Sequence, residues 1–392
     1  MAEPSASGEP GSLRSHVFLE EAFAVGRGNS AGLLRAVLAS FVLLAHHWTL
    51  GFGSAHPFGV DIAGAAVAGF FVLSGFLIAR SAAHHSAETF LWRRCLRIFP
   101  AFWLCLFFTA AVVAPLLWWR THGGLQDFWT EARPFDYVID NWALTMGDMG
   151  LGDLFVDTPA QIGDVANPSL WTLRYEFLCY LGVLVAANLP AVRRQRWLPA
   201  AGCLALYGVI VLDFVTSPDT PGPFLPNRAV EVPLLGRFDL WWLGIYGFMF
   251  ALGVAAYVYR GAIGINDRLG ISASVIAILG GFTVPFFGPL LPVAGYALLW
   301  CVVRLPRACR RIGTTRDLSY GIYIYAGLCQ QVLAVLGVAR FGHLPFLLLT
   351  LALTIGAASF SWSMVERPAM RLKDGVAWRL RQPAIEHRPV TT

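Results

Sequence analysis

Long apolar segments separated by short polar stretches run along almost the whole chain. Each approaches the ~20 residues that a helix needs to cross the hydrocarbon core of a bilayer. Lipid offers no partner for an unpaired backbone amide, so such segments must be helical. We place ten spans, near residues 33–50, 58–79, 99–119, 170–188, 198–214, 238–259, 270–284, 286–303, 318–337 and 343–364. The pattern therefore predicts an all-α, polytopic integral membrane protein.

The polar stretches divide the chain into three regions. Residues 1–30 form an N-terminal segment that is predicted to be flexible, and they lack the apolar core of a signal peptide. Residues 31–372 form the ten-helix membrane domain, with a long outer loop at 121–168, and residues 373–392 form a basic tail. The boundary between the seventh and eighth spans is the least defined, because Pro285 and the prolines after it leave little room for a turn.

The distribution of arginines indicates which side of the membrane each loop faces. Basic residues cluster in six places: before the first span, after the second, fourth, sixth and eighth spans, and in the tail. All six clusters fall on one side of a ten-span bundle. The loop at 121–168 instead carries eight Asp or Glu residues against Arg133 alone. Because cytoplasmic loops are the arginine-rich ones, both termini are predicted to be cytoplasmic.

Composition excludes the main alternatives to a membrane protein. Of the 392 residues, 56 % are hydrophobic and only 14 % are charged, whereas an ordinary globular chain carries about 25 % charged residues. The net charge of +5 is a topology signal, and no interleaving of basic and aromatic residues suggests a nucleic-acid partner. The seven cysteines lack metal-ligand spacing, so no metal is predicted. The dominance of arginine over a single lysine, Lys373, indicates a high-GC bacterium, and hence its cytoplasmic membrane.

Arg35 and His46 are polar residues inside the first apolar span. A charge at the bilayer centre costs about 2.5–3.5 kcal/mol, so it calls for a partner or a function. Eleven residues correspond to about 1100° of helix, or three turns plus roughly 20°, with a rise of about 16 Å. The two residues should therefore share a face, with Arg35 near the cytoplasm and His46 in the outer half. A snorkelling arginine and a buried structural histidine are the plain alternatives.

Glu176 lies in the segment NPSLWTLRYEFLCYL at residues 167–181, which opens the fourth span. Ser169 is a candidate N-cap, and Glu176 follows about two turns later. If the span runs inward, Glu176 reaches a depth similar to that of His46, where a carboxylate could orient the imidazole as a general base for a hydroxyl. Alternatively, Glu176 pairs with Arg174 or with a neighbouring helix.

Arg94 and Arg97 lie in the segment RRCLRIFP at the cytoplasmic entrance to the third span. Residues three apart share a helix face, and two guanidinium groups suit the phosphates of an anionic ligand or the headgroups of membrane lipids. Taken singly, they could equally be charges that set the topology. Together with Arg35 and His46 they describe a path in which an anionic donor binds from the cytoplasm and the chemistry occurs further out.

Six motifs in order along the chain resemble the acyltransferase 3 family. They run from about residue 30 to 372, nearly the whole sequence, and no single one is specific. The motifs are Arg35-x10-His46, FFVLSGFLI in the second span, Arg94-x-x-Arg97 before Pro100, SLWTLRYEFLCYL in the fourth, LSYGIYIY at 318–325 and SWSMVERPAMRL at 361–372. One departure is Ala326, where many relatives have a histidine after the tyrosine.

The resemblance implies an integral membrane O-acyltransferase with a ten-helix core. Such proteins move an acyl group, commonly acetyl, from cytoplasmic acyl-CoA to a hydroxyl of a glycan or related acceptor. Carried over by position, His46 is the essential histidine and Arg35 its paired arginine. Arg94 and Arg97 match the arginine pair on the donor side, and Glu176 matches the acidic residue of the fourth span.

The leading hypothesis is therefore catalysis by His46 and Glu176, with acyl-CoA (acetyl-CoA) bound near Arg35, Arg94 and Arg97. A thioester is already activated, so one positioned base can suffice and no permanently bound cofactor is needed. A covalent acyl-histidine intermediate is a variant of this mechanism. The acceptor stays open among a surface polysaccharide, another glycan, a lipid-linked sugar and a small-molecule hydroxyl. The alternatives are a transporter or flippase, which moves its substrate without covalent change, and a structural membrane partner.

Overall fold

The protein is mostly helical, with 74 % of the residues that the structure describes in helices. The computed structural model describes residues 17–23, 29–54, 57, 59–217, 225, 228–233, 236–283, 288–313 and 316–374. The helices in those residues are α1 (Leu19–Ala22), α2 (Ala31–Phe52), α3 (Ile62–His84), α4 (Ala87–Phe108), α5 (Ala114–His122), α6 (Phe128–Glu131), α7 (Pro134–Asn141), α8 (Thr172–Asn188), α9 (Pro190–Arg194), α10 (Leu198–Thr216), α11 (Leu240–Val258), α12 (Asp267–Thr283), α13 (Leu291–Arg304), α14 (Ser319–Val335), α15 (His343–Ser361) and α16 (Arg367–Arg371).

Irregular turns and short strands complete the architecture. A π-helical turn at Thr109–Val113 joins α4 to α5, and a second at Trp362–Glu366 joins α15 to α16. Three 3₁₀ turns lie at Arg307–Arg311, Val338–Phe341 and Leu372–Asp374. The strands are β1 (Val17–Phe18), β2 (Ala229–Val232), β3 (Gly236–Asp239) and β4 (Gly264–Ile265), and they form two antiparallel pairs, β1 with β4 and β2 with β3.

Six of the helical segments are long and apolar enough to cross a membrane. They are Ala31–Phe52, Ile62–His84, Ala87–His122, Leu198–Thr216, Leu240–Val258 and His343–Arg371. Each of the other four predicted spans also coincides with a helix, but those helices have only 14 to 17 residues. The protein is thus a multi-pass membrane protein, whereas the count of ten spans and the side on which the termini lie stay predictions.

The third span begins earlier than the sequence pattern predicted. The apolar run starts near residue 99, yet α4 begins at Ala87, directly after Ser86, whose hydroxyl accepts a hydrogen bond from the Thr89 amide at 3.4 Å. Arginine, leucine and glutamate are good helix formers, so the polar residues before the apolar run continue the same helix. Arg94 and Arg97 consequently lie on a helix within the bundle and not in a loop.

Close packing of α3 against α11 forms the centre of the bundle. A Cβ atom at Gly75 would overlap the carbonyl oxygen of Phe250, and one at Gly253 would overlap the carbonyl oxygen of Val72. Small residues of this kind let two membrane helices approach closely. The backbones of α3 and α11 therefore touch at this crossing.

The segment between α5 and α8 folds back onto the bundle. It includes α6 and α7, and the side chains of Leu151 and Phe155 are fully buried. The Asp164 carboxylate accepts hydrogen bonds from the amides of both residues, and burial raises the pKa of Asp164 to about 6 although these bonds favour its charged form. The acidic loop is thus a packed lid on one end of the helices.

Part of the N-terminal segment also packs against the bundle. Val17 lies opposite Ile265 in the β1–β4 pair, Leu19 is fully buried, and the ring of Phe23 lies 4.4 Å from that of Phe76. The rest of the segment predicted to be flexible, residues 1–16 and 24–28, and nearly all of the predicted tail lie outside the described residues.

Candidate active site

Two arginines that are far apart in sequence share one carboxylate. Arg35, one turn into α2, and Arg97, in the third turn of α4, each place an Nη2 atom on Asp317 Oδ2, at 2.9 and 2.8 Å. Asp317 Oδ1 accepts hydrogen bonds from the Ser319 amide and hydroxyl at 3.2 and 2.6 Å, which fixes the carboxylate at the start of α14. Burial raises the pKa of Asp317, but Arg97 and Arg35 outweigh burial, so the pKa lies below its usual range.

A second acid supports the same cluster. The π-helical turn after α15 directs Glu366 into the bundle, where its side chain is 4 % exposed and its Oε2 atom lies 3.9 Å from Arg97 Nη1. The hydroxyl of Ser361 donates to Glu366 Oε1 at 3.0 Å. Because a buried charge is costly unless it is paired, Asp317 and Glu366 together compensate the two guanidinium groups.

Arg35 and Arg97 line a small cavity that also contains Glu176. The cavity has a volume of about 80 Å³, and we call it the arginine cavity. Glu176 Oε1 accepts a hydrogen bond from the Ser74 hydroxyl at 2.7 Å and another from the Tyr180 hydroxyl. At this volume the cavity has room for a few water molecules and not for a nucleotide, so phosphate binding by these arginines stays a prediction.

Arg94 lies beside the arginine cavity and does not line it. Its guanidinium carbon is 6.0 Å from the ring centre of Tyr180, which lines the cavity, and 6.0 Å from that of Phe90, which does not. Arg97 instead lies over Tyr320 at 5.5 Å. The two arginines were predicted to face the same way. In the structure, Arg94 lies near Phe90 and Tyr180, whereas Arg97 lies over Tyr320.

His46 lies at the other end of the α2 face. Its Nδ1 atom is 3.5 Å from the hydroxyl oxygen of Ser169, and its ring is partly buried. Ser169 precedes α8 and does not cap it, because the helix begins at Thr172. Glu176 follows Ser169 by seven residues, or about 10 Å along a helix, and within the described residues no hydrogen bond joins it to His46. The structure therefore brings Glu176 to Arg35 and Arg97, and the depth shared with His46 is not observed.

Polar side chains of α8 connect the two ends. Ser169, Thr172, Glu176 and Tyr180 recur at spacings of three and four residues, which puts them on one helix face. Between His46 and Glu176, the Thr172 hydroxyl forms a hydrogen bond with the Tyr323 hydroxyl. Thr172, Glu176 and Tyr180 on this face of α8 line the arginine cavity, and Ser169 before the helix contacts His46.

His47, next to His46, forms a separate contact. Its Nε2 atom lies 3.1 Å from Nδ1 of His343, the first residue of α15, and the His343 ring stacks on Phe52 at 3.8 Å. His47 is only 3 % exposed, whereas His343 is exposed. We call the region of His46, His47, Ser169 and His343 the histidine end.

Several site residues had little or no signal in the sequence. Thr172 and Tyr180 could have been found from their spacing with Glu176, and Asp317 is the only acid in the arginine-rich stretch 304–317. Across the part of the chain that the structure describes, no group of three His, Cys, Asp or Glu residues could hold a metal ion. The seven cysteines are free thiols.

Comparison with known proteins identifies the family. A family profile for acyltransferase 3, described as an acyltransferase domain, matches residues 30–366. The chain is 30 % identical to an O-acetyl transferase of Shigella phage Sf6, over 87 % of this chain and 96 % of that protein. It is 28 % identical to nodulation protein 10 of Rhizobium leguminosarum bv. viciae, over 90 % and 96 % of the two chains.

A third relative matches over a shorter length. Acyltransferase MdmB of Streptomyces mycarofaciens is 27 % identical over 53 % of this chain and 51 % of its own. No solved structure matches the chain significantly. The matches support an O-acyltransferase, an enzyme that needs an acyl donor and a hydroxyl acceptor. The chain belongs to the acyltransferase 3 family, which confirms the resemblance seen in its motifs.

Proposed function

We propose that this O-acyltransferase moves an acyl group, chiefly acetyl, from cytoplasmic acyl-CoA to a hydroxyl of a glycan or glycosylated acceptor. The observation that carries the proposal is the pairing of a charged cavity at one end of the α2 face with a loosely held histidine at the other. The family and the name of the phage relative support O-acetyl transfer. The protein would act in the cytoplasmic membrane of a bacterium.

His46 is the proposed general base. The acceptor hydroxyl oxygen attacks the thioester carbonyl carbon, a C–O bond forms, and the C–S bond breaks. The hydroxyl proton passes to His46 and then to the departing sulfur, so that free CoA leaves as a thiol. A weakly held imidazole suits this role because it must exchange its partner for the substrate during each turnover.

Glu176 is proposed to act from the arginine cavity. It lies about two turns from Ser169 along α8, so a direct bond to His46 would require movement. Its charge balances Arg35 and Arg97, and its bonds to Ser74 and Tyr180 hold the cavity wall. In this role Glu176 is a positioning residue for the donor end of the path, and the arginines Arg35, Arg94 and Arg97 form its donor-binding side.

The test compares acylation in strains that differ only at two adjacent histidines. A deletion strain is restored with wild type, with His46→Gln or with His47→Gln, and surface glycans and exported metabolites are compared by mass spectrometry. We expect an acyl mass difference with wild type and with His47→Gln, and a loss of at least about a hundredfold with His46→Gln. Equal protein in the membrane fraction, measured by immunoblotting, is the control for folding.

Three outcomes separate the possibilities. Restoration by His46→Gln at the wild-type level would remove His46 from the chemistry while leaving the enzyme assignment intact. Loss of acylation only in His47→Gln would transfer the role to the neighbouring histidine. Movement of an unmodified compound across the membrane, with no acyl difference in any strain, would support a transporter or flippase instead.

A further inference from the structure

A groove much larger than the arginine cavity lies between α8 and α10, with α11 and the end of α3 behind it. Its volume is about 1110 Å³. Small residues of the two flanking helices form much of its walls, among them Gly182 and Ala186 of α8 and Gly202 of α10. A Cβ atom added at Gly182 or Gly202 would meet no atom within 4 Å, so these glycines face open space.

The charges at one end of the groove have a single sign. Arg193, Arg196 and Arg260 line this end, and no Asp or Glu lines the groove anywhere. Arg260 is paired with Glu20 at 3.5 Å, whereas no ion pair involves Arg193 or Arg196 within the described residues. Exposed, unpaired guanidinium groups beside an apolar channel are suited to phosphate groups.

The opposite end of the groove adjoins the arginine cavity. Phe90 and Cys179 line the groove, and Tyr180, the residue after Cys179, lines the cavity. Arg94 lies over both Phe90 and Tyr180 at 6.0 Å, and its Nε atom is buried with no hydrogen-bond partner among the described residues. The groove and the cavity therefore adjoin at the consecutive residues Cys179 and Tyr180, and Arg94 lies beside both spaces while lining neither.

We propose that this groove binds the acyl-CoA donor, a deeper assignment that rests on the proposed function. The phosphates of the nucleotide end lie at Arg193 and Arg196, and the narrow pantetheine arm runs between Gly182 and Gly202. The arm passes along α8 from Asn188 to Cys179, about 13 Å at 1.5 Å per residue. The thioester then reaches the Cys179 end of the groove, and Tyr180 moves aside to admit the acyl group to the arginine cavity.

The position of the inner end favours acyl-CoA over a membrane phospholipid. Both molecules have phosphate at one end, so the arginine rim suits either. The inner end lies one residue, Cys179 to Tyr180, from the arginine cavity, where Tyr180 donates a hydrogen bond to Glu176. A thioester carbonyl can accept hydrogen bonds from the polar groups of that cavity, whereas the terminal methyl groups of a phospholipid cannot.

Binding of radiolabelled acetyl-CoA to the purified full-length protein in nanodiscs tests this assignment without knowledge of the acceptor. Gly202→Phe should fill the groove and raise the Kd for acetyl-CoA at least about tenfold. Gly208→Phe on the same helix is the matched control, because Gly208 also faces open space but does not line the groove. It should leave the Kd within about twofold.

A second pair of variants tests the rim without altering the packing. Arg193→Gln combined with Arg196→Gln should raise the Kd for acetyl-CoA about tenfold or more through lost phosphate contacts. Arg194→Gln is the matched control, since Arg194 is exposed and lies between them without lining the groove. All five sites are on the surface or in open space, so folding is expected to persist and is checked by size-exclusion chromatography.

The outcomes distinguish failure of this assignment from failure of the proposed function. If wild type does not bind acetyl-CoA, the proposed donor is wrong and the groove assignment fails with it. If wild type binds and Gly202→Phe and the double arginine variant bind equally well, only the groove assignment fails. If these variants lose co-purifying phospholipid, measured by mass spectrometry, and keep the wild-type Kd for acetyl-CoA, the groove is a lipid site and the assignment is overturned.

Discussion

The arginine cavity and the histidine end lie on the same helix face and are built in opposite ways. In the arginine cavity, Arg35 and Arg97 contact Asp317 at 2.9 Å or less, and Glu176 accepts two hydrogen bonds. At the histidine end, His46 has a single contact of 3.5 Å. One region has several ion pairs and short hydrogen bonds among its own side chains, whereas the His46 side chain has one long hydrogen bond.

This difference follows from the energetics of charge in a low-dielectric interior. A permanent charge must be paired wherever substrate is absent, because an unpaired buried charge costs several kcal/mol. A neutral imidazole carries no such penalty, so it can remain without a strong hydrogen-bond partner until a substrate hydroxyl binds. We therefore expect loss of the shared counter-charge of Arg35 and Arg97 to lower stability as well as activity, and substitutions of His46 and Ser169 to affect activity alone.

The largest expected effect is that of Asp317→Ala. This change leaves two guanidinium groups without their shared partner, so the free energy of unfolding should fall by about 3–5 kcal/mol. The measurement is thermal unfolding in detergent, followed by intrinsic tryptophan fluorescence. Asp153→Ala is the control, because Asp153 is also paired, with His122 at 3.3 Å, but is 62 % exposed. Equal unfolding temperatures for the two variants would contradict the proposed stabilisation of the protein by the two ion pairs of Asp317.

The next largest effect is expected for Glu176→Gln. The amide oxygen can still accept from Ser74 and Tyr180, so stability should change little, while the loss of charge should reduce transfer by up to about a hundredfold. The diagnostic measurement is the pH profile of kcat/KM together with the KM for the donor. A positioning role in the arginine cavity raises the KM for the donor and leaves the profile in place. A shift of the profile would instead indicate that Glu176 acts on His46.

A smaller effect is expected for Ser169→Ala. The hydroxyl makes one long hydrogen bond to His46, and such a bond contributes about 0.5–1.5 kcal/mol, so transfer should fall roughly twofold to tenfold. Initial rates at saturating donor report this change, and unfolding temperature should match wild type. A loss as large as that caused by substituting His46 would mean that Ser169 itself touches the reacting atoms.

The smallest effect is expected for His343→Ala. His343 is exposed and contacts His47 rather than His46, so transfer should change less than about twofold and stability by about 1 kcal/mol or less. The same rate and unfolding measurements apply, with Arg340→Ala in the adjacent turn as the control. Abolished transfer with unchanged stability would show that the His47–His343 contact and the His46–Ser169 contact act together. It would contradict the view that only His46 and Ser169 take part in the reaction.

The positions of the helices could be predicted from the sequence because lipid imposes a simple rule on apolar length. All ten predicted spans coincide with helices, although only six meet the length and hydropathy of a membrane span. The start of α4 could not be predicted, since Arg94 and Arg97 resemble loop charges by composition alone. Helix propensity continues through them, and the capping by Ser86 sets the beginning of the helix.

The sequence indicated candidate residues that face the interior, but it did not indicate which of them contact one another. Arg35, His46, Arg97 and Glu176 do face the interior, yet Glu176 joins the arginines and not His46. Depth along one helix does not fix rotation or tilt relative to another, so partners cannot be inferred from it. Asp317 was missed because its role depends on contacts over 282 and 220 residues of sequence, which no local pattern encodes.

Asp317 also has a consequence for biosynthesis. Its two arginine partners emerge from the ribosome 220 and 282 residues before it. At the usual rate of synthesis, this is a delay of roughly ten seconds to a minute. During that interval Arg35 and Arg97 enter the membrane without their counter-charge and must extend toward the lipid headgroups. When the last third of the chain inserts, Asp317 pairs with both guanidinium groups and holds them in the interior of the bundle. Formation of these ion pairs is therefore a late step of assembly.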